Sequence, residues 1–170
     1  VNQRPAAEDH SAYYGQYIGL VPDGEISEIL VDQHEEMNRF LSELTEEQAS
    51  HRYAEGKWSI KEVIGHIADT ERVMCYRLLR IARGDQTALP GFDQDLFMEG
   101  ISFDAYSVAD LLEDYSAVRR ATLTLLRGLP AEAWDRKGVV SDNNTTANAL
   151  AYVIAGHELH HMNIIKERYL

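Results

Sequence analysis

The chain has 170 residues, the usual size of one domain, and 45% apolar with 26% charged residues is a globular composition able to bury a single core. Sixteen Lys and Arg against 28 Asp and Glu leave a formal charge of −12, a field that repels phosphate backbones and anionic lipid surfaces, so neither nucleic acid nor membrane is expected as a partner. No apolar run approaches the ~20 residues of a membrane span. The single cysteine, Cys75, excludes an internal disulfide framework and suits a reducing compartment, while the polar start over residues 1–10 lacks the apolar core of a secretion signal.

Four segments carry apolar residues at helical spacing with start or stop chemistry beside them. The first puts Ile26, Leu30, Gln33, Met37, Phe40 and Leu44 on one stripe after the breaker Pro22-Asp23-Gly24. A short helical turn is expected at Thr45-Glu46-Glu47-Gln48, which has the form of a capping box. The second long segment opens on another such box, Ser59-Ile60-Lys61-Glu62, and runs to about Gly84 with Ile60, Val63, Ile67, Met74, Leu78 and Ile81 as its inward stripe.

A longer connection over residues 85–106 follows, holding Pro90-Gly91 and the promise of a short helix at 93–98. The third long helix is expected to start at Ser107, carry Val108, Leu111, Leu112, Tyr115, Val118, Leu125 and Leu126, and stop near Gly128-Leu129-Pro130. Residues 130–134 suggest one more short turn. No alternating strand pattern of useful length is visible, and Asp142-Asn143-Asn144-Thr145-Thr146 reads as a loop feeding a fourth helix that runs almost to Leu170. These elements predict an all-α chain, one domain over residues 1–170, built as a four-helix bundle with a longer connection between the second and third helices.

Chemistry concentrates in Gly156-His157-Glu158-Leu159-His160-His161. At roughly 100° per residue, His157 and His161 fall near the centre of the inward stripe marked by Leu150, Val153, Ile154 and Ile164, with His160 towards its edge. Two imidazoles four residues apart on a buried stripe can grip one ion, although a buried histidine is also met as a core residue hydrogen-bonded to its neighbours. The string is formally the His-Glu-x-x-His of zinc peptidases, but such a peptidase also needs a third ligand and an open cleft commonly edged by a strand, and the expected helical bundle with nine residues after His161 argues against proteolysis.

A third ligand is best sought at His66 in Gly65-His66-Ile67-Ala68-Asp69, on the flank of the second helix's stripe, where a boundary histidine is an equal reading. His34, at the edge of the first helix's stripe, is a substitute of lower rank; His10 and His51 lie in segments read as terminal or turn. Asp69 could orient a ligand by accepting an imidazole proton, although an exposed Asp is the commoner case. Arg77 lies on the same side of its helix as His66 and could meet an anionic substrate, against the commoner reading of a solvated or salt-bridged arginine.

Two of these segments carry a resemblance. Trp58-Ser59-Ile60-Lys61-Glu62 followed by His66-Ile67-Ala68-Asp69 is similar to the Trp-Ser/Thr and His-x-x-Asp signature of the DinB/YfiT-like superfamily, also described as thiol S-transferase-like, and His157-Glu158-Leu159-His160-His161 resembles its terminal His-x-x-His-His. The resemblance implies a metal set of His66, His157 and His161, one divalent ion with nickel or zinc foremost, a cytoplasmic homodimer, and in some members a metal-dependent transferase or isomerase activity that uses a low-molecular-weight thiol. Three imidazoles leave a coordination position open. A thiol S-transferase acting on a small molecule, a hydrolase using the same ligands to activate water, and a non-catalytic stress-related metal-binding bundle are therefore the three functional expectations.

Overall fold

The computed structural model describes residues 3–170; Val1 and Asn2 of the polar start lie outside the described residues. Its helices are α1 (Ala12–Ile18), α2 (Ile26–Glu43), α3 (Glu46–Ala49), α4 (Ile60–Ala82), α5 (Gln94–Glu99), α6 (Val108–Arg127) and α7 (Ala147–Arg168), joined by single 3-10 turns at Ala7–Asp9, Phe103–Ala105 and Ala131–Asp135. The starts are chemically defined: Ser59, Ser107 and Thr146 each accept the backbone N–H three residues on, and Glu62 returns the bond to the Ser59 N–H.

The four long helices, α2, α4, α6 and α7, form the bundle. α4 packs against α6 and α7, and α2 packs against the same two, so consecutive long helices α2 and α4 stand on diagonal corners. The expected apolar stripes are largely buried, from Ile26 and Leu30 on α2 to Leu111, Tyr115 and Val118 on α6. Two core clusters divide the interior, one towards α1 and the N-terminal half of α7, the other around Ile60, Ile64, Ile67, Tyr115 and Ile165. No helix among the described residues is long and apolar enough to cross a membrane.

Three features depart from expectation. Lys137–Val140 and Asn143–Thr146 pair as a two-stranded antiparallel hairpin, where no strand was expected and where 142–146 reads as a loop. The strands have four residues each, too short to display an alternation, and the turn is closed by Ser141 and Asp142, both at positive φ (47° and 66°), a combination with no Gly to announce it. α1 forms where no helix was expected, capped by Ser11 and burying Tyr14, Tyr17 and Ile18.

The third departure concerns α7. Its residues Ala147–Glu158 are buried on every side rather than along one stripe, because α1 and the hairpin cover the face that would otherwise meet water. Further along, Ile165 enters the core and Ile164 stays half-buried. Gly156 is what lets α1 come so close: a Cβ there would stand 2.0 Å from the Tyr17 carbonyl oxygen.

Candidate metal centre

His66 comes from α4, and His157 and His161 come from successive turns of α7. Their ring nitrogens converge, one donor atom of each lying within 4.8 Å of the others. The Nε2 atoms of His66 and His157 are 3.1 Å apart. Ring centroids are separated by 4.9 Å for His66–His157, 4.9 Å for His66–His161 and 4.6 Å for His157–His161. His66 and His157 are buried and His161 half-buried.

What sets this register is a polar network inside the bundle. Arg119 of α6, fully enclosed, donates to both carboxylate oxygens of Glu71 on α4, to Glu158 on α7 at 3.0 Å and to the Leu30 carbonyl of α2. Tyr115 donates to Glu158 and Thr122 to Glu71, both at 2.7 Å, and Gln33 donates to the Ala155 carbonyl. All four long helices are tied at one level, and that level is one residue from His157. A buried charge must find such partners, so sliding α7 against α4 would strand two carboxylates in the core.

Glu158 is committed to this network and points away from the histidines, in keeping with its ~100° offset from His157 on the helix. Burial pushes its carboxyl up to about 7, partly offset by Arg119 and Tyr115. It is therefore no general base of the cluster.

The histidines themselves are held uncharged. Burial lowers His66 to about 4 and His161 to about 3, and holds His157 well below the usual imidazole range, with the neighbouring imidazoles adding to the effect in each case. A neutral imidazole is the form that binds a metal. The spacing fits as well: two nitrogens bound tetrahedrally at ~2.0–2.1 Å stand about 3.3 Å apart, close to the 3.1 Å between His66 and His157. No carboxylate bonds to these rings among the described residues, so the donor set is three neutral nitrogens, which suits nickel, zinc and related divalent ions.

Aromatic rings wall the cluster. Trp58 lies 4.9 Å from the His66 ring, and Tyr17 of α1 lies 5.4 Å from His157 and 5.5 Å from His160. His66 and His157 open onto a cleft of about 710 Å³, bounded by α1, by α4 through Thr70, Met74 and Arg77, by residues 91–94 and by the hairpin. His66 lies deeper than its flank position on the stripe suggests, because Trp58 and, from α7, His157 and His161 pack on its ring.

The other candidates separate cleanly. His34 is half-buried, 6.0 Å from the Tyr115 ring, and is not among the converging donors. His10 bonds the Ser11 carbonyl, His51 is exposed, and His160 packs on Tyr17 outside the triad. Asp69 stands 4.0 Å from Arg72 and makes no bond to His66 among the described residues. Arg77 is neither solvated nor salt-bridged but buried, donating to the Tyr14 hydroxyl and the Pro90 carbonyl. Tyr14, Tyr17 and Thr70 were not singled out in the sequence; the Ser11 cap followed by Tyr14 and Tyr17 at helical spacing was the available signal.

A bundle with diagonal first and second helices and a three-histidine cluster defines the class. The DinB superfamily profile matches residues 29–165, and the chain belongs to that superfamily. It is 30% identical over 129 residues to a protein of Oceanobacillus iheyensis named as a "putative metal-dependent hydrolase", covering 74% of this chain and 73% of that one. Its fold is similar to that of YfiT from Bacillus subtilis, described as "a probable metal-dependent hydrolase with an unusual four-helix bundle topology", with a TM-score of 0.69, 16% identity, and 97% and 90% of the two chains covered.

Proposed function

We propose that the chain is a divalent-metal-dependent enzyme that activates a small protic nucleophile against a small-molecule substrate bound in the cleft. One observation carries this reading: three neutral imidazoles converge on one point, and two of them, His66 and His157, line an open cleft rather than a closed core. His66, His157 and His161 would hold the ion, which when bound supplies Lewis acidity that lowers the pKa of a coordinated water or thiol.

The chain's own residues do the rest. The Arg119 network holds α7 in register with α4, so the three nitrogens meet without rearrangement. Trp58 and Tyr17 exclude bulk water from the rings, and the tyrosines of α1 with Met74 and Val153 give the cleft walls that position an organic substrate.

Water as nucleophile makes the enzyme a hydrolase, the reading that the names of both relatives support. Thiol S-transfer is the second reading. It uses the same residues, and an all-imidazole set favours it equally, because neutral ligands leave the ion's charge free to stabilise a thiolate. The test is a paired screen on protein loaded with zinc or nickel: ester and amide hydrolysis on one side, conjugation of a low-molecular-weight thiol to electrophiles on the other, with His161→Ala beside wild type. Activity in one arm that His161→Ala abolishes supports the corresponding reading; activity in either arm that survives the substitution and chelation contradicts both.

A further inference from the structure

Three cations are buried among the described residues: Lys61, Arg77 and Arg119. Lys61 has the Glu46 carboxylate at 2.7 Å, and Arg119 has those of Glu71 and Glu158. Arg77, only 4% exposed, has none within ion-pair distance among the described residues. A guanidinium carries five N–H donors. Arg77 gives hydrogen bonds to the Tyr14 hydroxyl at 2.8 Å, the Pro90 carbonyl at 2.8 Å and the Met74 sulfur at 3.7 Å, all uncharged acceptors, and stacks over Phe92 at 5.5 Å. A charge withdrawn from water without a counter-charge is costly, and the protein meets that cost elsewhere in its core but not here.

Arg77 lines the same cleft as His66 and His157. Thr70 lines it too, midway between them on α4; its side chain is 3% exposed and its hydroxyl has no hydrogen-bond partner. His66, Thr70 and Arg77 stand at positions 0, 4 and 11 of one helix and so share a face. Arg77 reaches back to Met74, which brings its guanidinium to on the order of 10 Å from the histidines at 1.5 Å of rise per residue. The wall also carries Asp93, whose Oδ1 is occupied in capping α5 through the Asp95 and Leu96 N–H groups.

We propose that Arg77 is the anion-recognition residue of the cleft: the substrate is an elongated molecule whose carboxylate or phosphate pairs with Arg77, while its other end reaches the histidine cluster past Thr70. This rests on the reading of that cluster as the reacting end. Arg77 and Thr70 thus set specificity, selecting an anionic substrate over its neutral analogue, because an anion would restore the counter-charge and a neutral group would not.

The test is calorimetric binding of hexanoate, hexyl phosphate and neutral hexanamide to the full chain, with and without added zinc. The expected result is that one anion binds at least about tenfold tighter than hexanamide and that Arg77→Gln removes that advantage, leaving metal content and hexanamide affinity unchanged. Arg77→Lys should retain part of it, and Thr70→Val should weaken the anion by about threefold without loss of fold. Whichever of hexanoate and hexyl phosphate responds to Arg77 names the anion. Should Arg77→Gln not fold, Arg77→Lys and Thr70→Val carry the decision. Anions that bind no tighter than hexanamide, or equally to wild type and the Arg77 variants, overturn the proposal. Arg77-dependent binding in a chain that takes up no zinc would leave the anion site standing and remove the metal reading instead.

Discussion

The Nε2 atoms of His66 and His157 face each other at 3.1 Å across the α4–α7 interface, 91 residues apart in sequence. Neutral imidazoles can occupy that geometry without metal by sharing one N–H···N hydrogen bond, one ring donating and the other accepting. A divalent ion replaces this single bond by a bond to each ring. The folded chain should therefore be stabilised by metal: zinc at 100 times its Kd should add about 2.7 kcal/mol and raise the melting temperature, and a chelator should reverse the gain. Differential scanning fluorimetry checks this, and a melting temperature insensitive to both contradicts it.

Close packing against the site depends on Gly156. A methyl group there meets the Tyr17 carbonyl at 2.0 Å, backbone against side chain, so α1 must move away. Gly156→Ala should cost about 1–3 kcal/mol of stability, and should lift Tyr17 off His157. Thermal unfolding measures the first effect, and the His157 ring resonances in NMR report the second; a stable variant with unmoved resonances contradicts the packing account.

The pH dependence of metal-free stability has a definite sign. His66 and His161 fall to about 4 and about 3 in the folded chain, and His157 is lowered too, so below their ordinary value of ~6.5 the unfolded state binds more protons. Stability is then present above pH ~6.5 and lost as pH falls towards 4. Glu158 acts oppositely: with its pKa raised to about 7, the folded state keeps a proton that the unfolded state releases, and stability is lost as pH rises through that value. Three imidazoles outweigh one carboxyl, so stability should rise between pH 4.5 and 6.5 by on the order of 1–3 kcal/mol per unit. Urea unfolding of chelated protein measures the slope, and Glu158→Gln should steepen it. A flat or falling profile contradicts the depressed imidazoles.

Removing the cation from the internal network should be more damaging than any surface substitution. Arg119→Met leaves Glu71 and Glu158 facing each other without a counter-charge, a loss on the order of 3–5 kcal/mol. The triple replacement Arg119→Met, Glu71→Leu, Glu158→Leu should recover much of that stability. Because the network fixes the register of α7, the single variant should also bind metal more weakly than wild type if it remains folded. Chemical denaturation with metal titration gives both values.

The long helices were legible from local statements: apolar stripes on α2, α4 and α6, the breaker Pro22-Asp23-Gly24 ahead of α2, and caps at Ser59, Ser107 and Thr146 for the other three. His157 and His161 followed from the period of one helix. His66 did not, since its burial comes from Trp58 and from the α7 histidines about 90 residues away in sequence, contacts that the period of α4 does not show. Arg77 was equally opaque, because Tyr14 and Pro90 reach it only once α1 and the 83–93 connection are folded over α4. The strands of the hairpin, at four residues each, are too short to show an alternation, and the seven residues of α1 offer only the Ser11 cap and the Tyr14–Tyr17 spacing; both elements pack on α7.

Metal stoichiometry in the histidine variants tests the central claim most directly. Untagged protein should be stripped with a chelator, reconstituted with zinc or nickel, desalted and assayed by mass spectrometry for metal per chain. His66, His157 and His161 acting as one site predict about one ion per chain in wild type and less than ~0.2 in each single alanine variant, with the fold retained by circular dichroism. Wild-type protein that retains no ion, or alanine variants that retain as much as wild type, would contradict the account.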